Sequence, residues 1–161
     1  MRGRGALAIA KGLATNYSLH TLLLAWNGFG DEGACAVAEA LKENTTLTEI
    51  DLSYNRISIK GCLAIANALK VNTTLKILRI GRNPIGNNGA KALLGAIRDT
   101  SETAIETLDL NGVVLEHETQ GLLNRLLKSK PKFEISCEFS KSGYCYTFSR
   151  RSKKRSLYVR L

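Results

Sequence analysis

The sequence predicts an α/β solenoid, a horseshoe arc with short parallel strands on its concave side and helices on its convex side. Three observations predict it. A set of apolar residues and an asparagine recurs at a step of 28 residues. The front of each copy alternates apolar and polar, which is strand spacing. The rear of each copy carries apolar residues at helical spacing. A strand and a helix repeated at fixed length bury their apolar faces only by stacking on the next copy.

The copies align without gaps. Leu19, Leu22, Leu24 and Asn27 return as Leu47, Ile50, Leu52 and Asn55, and again as Leu75, Leu78, Ile80 and Asn83. A fourth copy begins at Ile105 after a step of 30, the two extra residues falling in the loop Thr100–Thr103. An apolar residue follows each asparagine slot (Phe29, Ile57, Ile85, Leu115), and Gly33, Gly61 and Gly89 come next. Helical runs then end at Leu41, Leu69, Ile97 and Leu127. The recurring asparagine is expected to turn inward and bond backbone groups of adjacent turns. The glycines are expected where loop closely approaches helix. Val113 and Thr119 break the pattern in the last copy, as end copies do.

Gly5–Leu13 matches Gly33–Leu41, so the chain enters in mid-repeat. About four and a half repeats are expected over residues 1–132, with a truncated N-terminal end. Such a protein is expected to be a monomer or an edge-associated oligomer. Phe133, Ile135, Cys137 and Phe139 alternate, as do Tyr144, Tyr146 and Phe148 around the turn Lys141–Gly143, so 133–148 reads as a C-terminal strand or hairpin cap. Residues 149–161 read as a disordered basic tail.

The pattern LxxLxLxxN at this step, quoted above from Leu19, Leu47 and Leu75, resembles the ribonuclease-inhibitor-type leucine-rich repeats. The resemblance covers about Gly5 to Phe133. It implies the arc just derived and a protein-binding role. Some members of that group inhibit a nuclease or activate a GTPase, but no residue here matches a motif for either.

Composition narrows the alternatives. Of the formal charge of +9, residues 138–161 hold +6, with seven bases against Glu138, so the basic balance describes the tail. No apolar run reaches the roughly 18 residues of a membrane helix, and Lys11 interrupts the N-terminal apolar run too early for a signal peptide. Cys35, Cys62, Cys137 and Cys145 form no CxxC pair. Cys35 and Cys62 lie in Ala-rich helical runs and read as buried thiols in a reducing compartment.

Three patterns mimic chemistry. Gly28-Phe-Gly30-Asp-Glu-Gly33 has the dinucleotide spacing GxGxxG, but only Gly33 recurs in the next copy, and Asp31 and Glu32 would repel a pyrophosphate at the helix start. Asn16, Asn44 and Asn72 head glycosylation sequons, yet they recur at helix ends, where asparagine tolerates a left-handed C-cap. His20 and His117 stand in separate repeats with no nucleophile or acid in a catalytic order. No catalytic residue, metal site or cofactor is expected, and the chain is not expected to be an enzyme.

Residues between the strand leucines point away from the core. One column reads Leu23, Asp51, Arg79, Asp109, and another Thr21, Glu49, Ile77, Thr107. A third, at the strand exits, reads Trp26, Tyr54, Arg82, Gly112. Trp, Tyr and Arg dominate binding hot spots. The first expectation is therefore an interaction module of the cytoplasm, or of the nucleus, holding a protein partner on its concave face. Trp26, Tyr54 and Arg82 would anchor it, with Glu49, Asp51 and Arg79 beside them. Stacking of Trp26 on Tyr54 alone, and mutual neutralisation of Asp51, Arg79 and Asp109, are the plainer readings. An enzyme regulator is the second expectation. The third is nucleic-acid association through Arg150, Arg151, Lys153, Lys154 and Arg155, where charge supplies no base specificity. No membrane partner is expected.

Overall fold

Five parallel strands alternate with five helices in a computed structural model that describes residues 4–141, 144–149 and 156–158. The order is α1 (Arg4–Ala14), β1 (Thr21–Leu23), α2 (Gly30–Glu43), β2 (Glu49–Asp51), α3 (Ile59–Leu69), β3 (Ile77–Arg79), α4 (Gly86–Asp99), β4 (Thr107–Leu115), α5 (His117–Ser129) and β5 (Glu134–Lys141). Two antiparallel strands, β6 (Tyr144–Ser149) and β7 (Ser156–Tyr158), complete a sheet whose spatial order is its chain order. The 28-residue step appears directly as register: Leu22 pairs with Ile50, Ile50 with Leu78, and Leu78 with Leu108. Ile135 of β5 continues this interior row. Behind it, Phe29, Ile57, Ile85 and Leu115 are all buried against the helices, as are Leu41, Leu69 and Ile97. In α5 the last fully buried residue is Leu126, with Leu127 only half-buried. Leu127 is the residue that the repeat alignment places there, and the offset reflects the irregular last repeat.

The interior is held by amides. Asn55 is fully buried; its Oδ1 accepts from the backbone N–H groups of Asn27 and Phe29, at 2.9 and 3.2 Å. Its Nδ2 donates to the carbonyls of Leu24 and Ser53. Asn83 does the same one turn later, accepting from Asn55 and Ile57 and donating to Leu52 and Ile80. One side chain thus satisfies donors and acceptors of two successive turns that water cannot reach.

A second ladder runs at the helix ends. Asn44 accepts from the N–H groups of Thr46 and Leu47 and donates to the carbonyls of Leu13 and Asn16 in the previous turn. Asn72 repeats this with Thr74, Leu75, Leu41 and Asn44. This corrects the left-handed cap expected for these asparagines. Asn44 is extended, with φ −78 and ψ 126, and Asn72 is absent from the positive-φ residues. The reason is that the amide serves the neighbouring turn rather than its own helix. Both side chains are buried, which leaves no room for a glycan.

The glycine slots are tight. A Cβ on Gly61 would lie 2.8 Å from the Cβ of Ala34, and one on Gly33 would lie 2.8 Å from that of Ala6. Successive helices therefore touch through alanine and glycine. Asp31, in the first turn of α2, uses this closeness to cap the next helix. Its carboxylate accepts from the N–H groups of Ser58 and Gly61 and from the Ser58 hydroxyl at 2.6 Å. Burial alone would raise its pKa. The bonds from Ser58 and Gly61, with Lys60 nearby, hold it below the ordinary carboxylate range.

The C-terminal end differs from the repeats. β4 continues to Leu115 where earlier strands stop after three residues, and pairs with β5 again at Val114–Glu138 beyond a bulge. Val113 stands where Asn27, Asn55 and Asn83 stand, and without an amide to fold the turn inward the backbone stays extended. The tail read as disordered from Ser149 onward includes Ser149 in β6 and Ser156–Tyr158 in β7. Leu157 and Tyr158 are strand formers within an otherwise basic stretch. Arg150, Arg151, Lys153, Lys154 and Arg155 lie outside the described residues.

Asn55→Ala is expected to lower unfolding free energy by about 3 kcal/mol, because buried amide groups on two turns lose their partners. Urea denaturation checks this, and Asn27→Ala, at the partly buried edge, should cost less. Asp31→Ala should cost about 1 kcal/mol at neutral pH, as helix caps do. Since the folded pKa is depressed, that contribution is present above the unfolded value of 3.8 and lost as pH falls through the folded one. Melting curves of wild type and variant should therefore converge in acid.

Candidate protein-binding surface

The concave wall is built by the strand residues that flank the interior row. Thr21, Glu49, Ile77, Thr107 and Glu134 form one column, and Leu23, Asp51, Arg79, Asp109 and Ser136 the other. Leu23 is 65% exposed at the first strand. The guanidinium of Arg79 pairs with Glu49, one strand back and in the other column. Neutralisation of Arg79 between Asp51 and Asp109 is therefore not what occurs. Asp51 turns to the N–H of Ser53 and Asp109 to that of Asn111, each at 2.8 Å, tying down its own strand exit. A short carboxylate two residues before an open N–H closes that loop more readily than it reaches across a strand. His20, at the lower margin of the wall, donates from Nδ1 to the carbonyl of Thr46 at 2.9 Å.

The exit column has a feature that the spacing did not reveal. Trp26, Tyr54, Arg82 and Gly112 all have left-handed backbone, with φ of 64, 57, 56 and 81. The coil imposes this conformation at every turn. A glycine there would be unstrained, yet three of the four positions carry large side chains. Left-handed geometry swings those side chains out of the turn. Trp26 is 73% exposed and Tyr54 38%. Their rings stack with centroids 3.7 Å apart and planes 12° from parallel. The Arg82 chain runs across Gly112, where a Cβ would sit 2.8 Å from its Cδ, and its guanidinium stands 4.0 Å from Glu138. Trp26, Tyr54 and Arg82 line one open depression with Arg56 and Pro84, which belong to none of the three strand columns. Arg56 also has positive φ, 61.

Three sequence segments, residues 15–38, 43–66 and 71–94, match the family model described as Leucine Rich repeat. The chain contains leucine-rich repeats. Among solved structures, leiomodin-1 actin-binding site 2 superposes with a TM-score of 0.68 at 19% identity, over 86% of this chain and 79% of that one. That likeness shows the shared fold. No curated protein matches the sequence.

The leucine-rich repeats explain the remaining chemistry-like patterns. Gly28 and Gly30 take φ of 63 and 60 to turn the chain from strand exit to helix, and Gly33 serves helix contact. Asp31 between them is engaged with α3. Burial, with Asp31 nearby, pushes the Cys62 thiol up to about 12. Burial and the charges of Glu138 and Asp109 do the same for Cys137. Cys35, expected to be buried, is half-exposed, because it aligns with Leu7 and Leu63 on the outer helix face rather than with Cys62. Among the described residues no helix is long and apolar enough to cross a membrane.

Tyr54→Ala should leave both faces of the Trp26 ring open to water and shift its emission to the red. The chain should lose about 1 kcal/mol, the size of an aromatic pair. Steady-state fluorescence is direct, since Trp26 is the sole tryptophan.

Proposed function

We propose that this protein is an interaction module that holds a protein partner against its concave wall and strand-exit rim. Trp26, Tyr54 and Arg82 anchor the partner, and Glu49, Asp51 and Arg79 set its orientation. The observation that carries this reading is the exposed Trp26–Tyr54 stack. The fold fixes the backbone at that column but not the side chains, so large aromatic surface is left in water where glycine would serve the coil equally well. Exposed aromatic and arginine side chains clustered on a rigid curved sheet are the ingredients of a binding hot spot. The finer assignment we propose is the ribonuclease-inhibitor type, from the 28-residue strand-plus-helix step, with a likeness to leucine-rich-repeat-containing protein 74.

Modulation of an enzyme partner is compatible with the same surface and differs only in whether bound partner turnover changes. The structural neighbour is named for an actin-binding site, which makes actin one protein to include in any screen. Proximity labelling in cells should recover partners with the wild-type chain and lose them with Trp26→Ala, Tyr54→Ala and Arg82→Ala combined. Loss of anchors should weaken a purified partner by at least about 2 kcal/mol, roughly thirtyfold. An unchanged partner set and affinity would refute the site.

A further inference from the structure

The rim depression differs in charge from the wall beside it. Its lining comprises Trp26, Asn27, Gly28, Tyr54, Pro84 and two arginines, Arg56 and Arg82, with no carboxylate among them. The wall, by contrast, presents Glu49, Asp51, Asp109 and Glu134 against Arg79. Arg56 makes no ion pair among the described residues, while Arg82 retains only the long contact with Glu138. The conformation of Arg56 adds a second observation. Its equivalents one turn away on either side are Gly28, with φ 63, and Pro84, whose ring forbids positive φ. The coil therefore accepts either sign at this position, and an arginine occupies the left-handed form that is costly for it. An observed outlier of this kind at a surface cluster points to function.

Resting on the protein-binding reading above, we propose that this depression receives an extended acidic peptide segment of the partner. An apolar side chain of the segment lies on the Trp26 and Tyr54 rings, and its carboxylates meet the guanidinium groups of Arg56 and Arg82. Adjacent turns are about 4.8 Å apart, so Trp26 to Arg82 spans about three residues of extended chain. A polyphosphate chain would share the affinity for arginine and ring faces. It would also pass the acidic columns of the wall, which repel an unbroken line of negative charge. A peptide can place its carboxylates at the rim alone.

The test uses the full chain and three probes: a peptide of repeated Glu-Pro-Leu triplets, its Lys-Pro-Leu counterpart and oligo(dT). Trp26 emission reports occupancy of the depression, and anisotropy reports total binding. The Glu-Pro-Leu peptide should shift Trp26 emission and bind at least about tenfold tighter than the Lys-Pro-Leu peptide. Arg56→Gln and Arg82→Gln should each weaken it about fivefold, with Arg98→Gln on the outer helices as an inert control. Circular dichroism establishes that each variant is folded, and Arg56→Glu supplies a charge-reversed form whose affinity should fall further. Equal binding of both peptides, an effect of Arg98→Gln as large as that of the rim variants, or binding without an emission change would overturn the proposal. Tighter, Trp26-reported binding of oligo(dT) would overturn it in favour of nucleic acid. If Trp26-dependent partners are captured in cells while the acidic peptide is ignored, the partner chemistry fails and the binding surface stands; if both fail, the surface itself is wrong.

Discussion

Every turn of this coil buries backbone that water cannot reach, and the structure depends on asparagine side chains to satisfy it. Asn55 and Asn83 bridge the strand exits, and Asn44 and Asn72 bridge the helix ends. Each amide has one acceptor oxygen and two donor hydrogens, which matches the mixture of N–H and C=O groups left between adjacent turns. A hydrophobic side chain of the same size would fill the space and leave those groups unpaired, at a cost of about 1–3 kcal/mol for each. The leucines supply most of the apolar burial and favour one register, since a one-residue slip would turn them outward. The amides fix it, because a shift of one residue removes every partner at once.

Function follows from that fixed register. Strand residues repeat at the spacing of the sheet, so any side chain placed once per repeat becomes part of a column. The two wall columns and the exit column arise in this way. The exit column carries the additional constraint of left-handed backbone, which turns its side chains outward and keeps them from the core. Trp26 can stay in water without loosening the fold because Leu24 and Asn55 close the turn beneath it. The array can thus vary its exposed chemistry without disturbing the buried amide ladder.

The helical layer obeys a different economy. Glycine and alanine let neighbouring helices approach until a Cβ would clash, and in that narrow space Asp31 reaches the first turn of the next helix. The same position one repeat later is Ile59, and one further is Asn87, which accepts from the N–H of Glu116. The interhelical cap is therefore used where the side chain permits it rather than at every turn. The last repeat lacks both the amide at Val113 and the glycine at Thr119. There the coil gives way to a long β4 and the antiparallel β5–β6–β7 edge.

The sequence by itself determined the repeat length, the interior row, the inward asparagines of the strand exits and the membership of each wall column. All of these follow from equivalence between positions a fixed number of residues apart, and periodicity reports equivalence directly. It did not determine which partner an equivalent side chain takes. Arg79 chooses Glu49 over the two aspartates, Asp31 serves the following helix, and Asn44 serves the preceding turn. Trp26, Tyr54, Arg56 and Arg82 converge on one depression only because of the backbone angles between them. Those choices depend on distances and directions across turns that lie far apart along the chain, and the folded arrangement alone sets them.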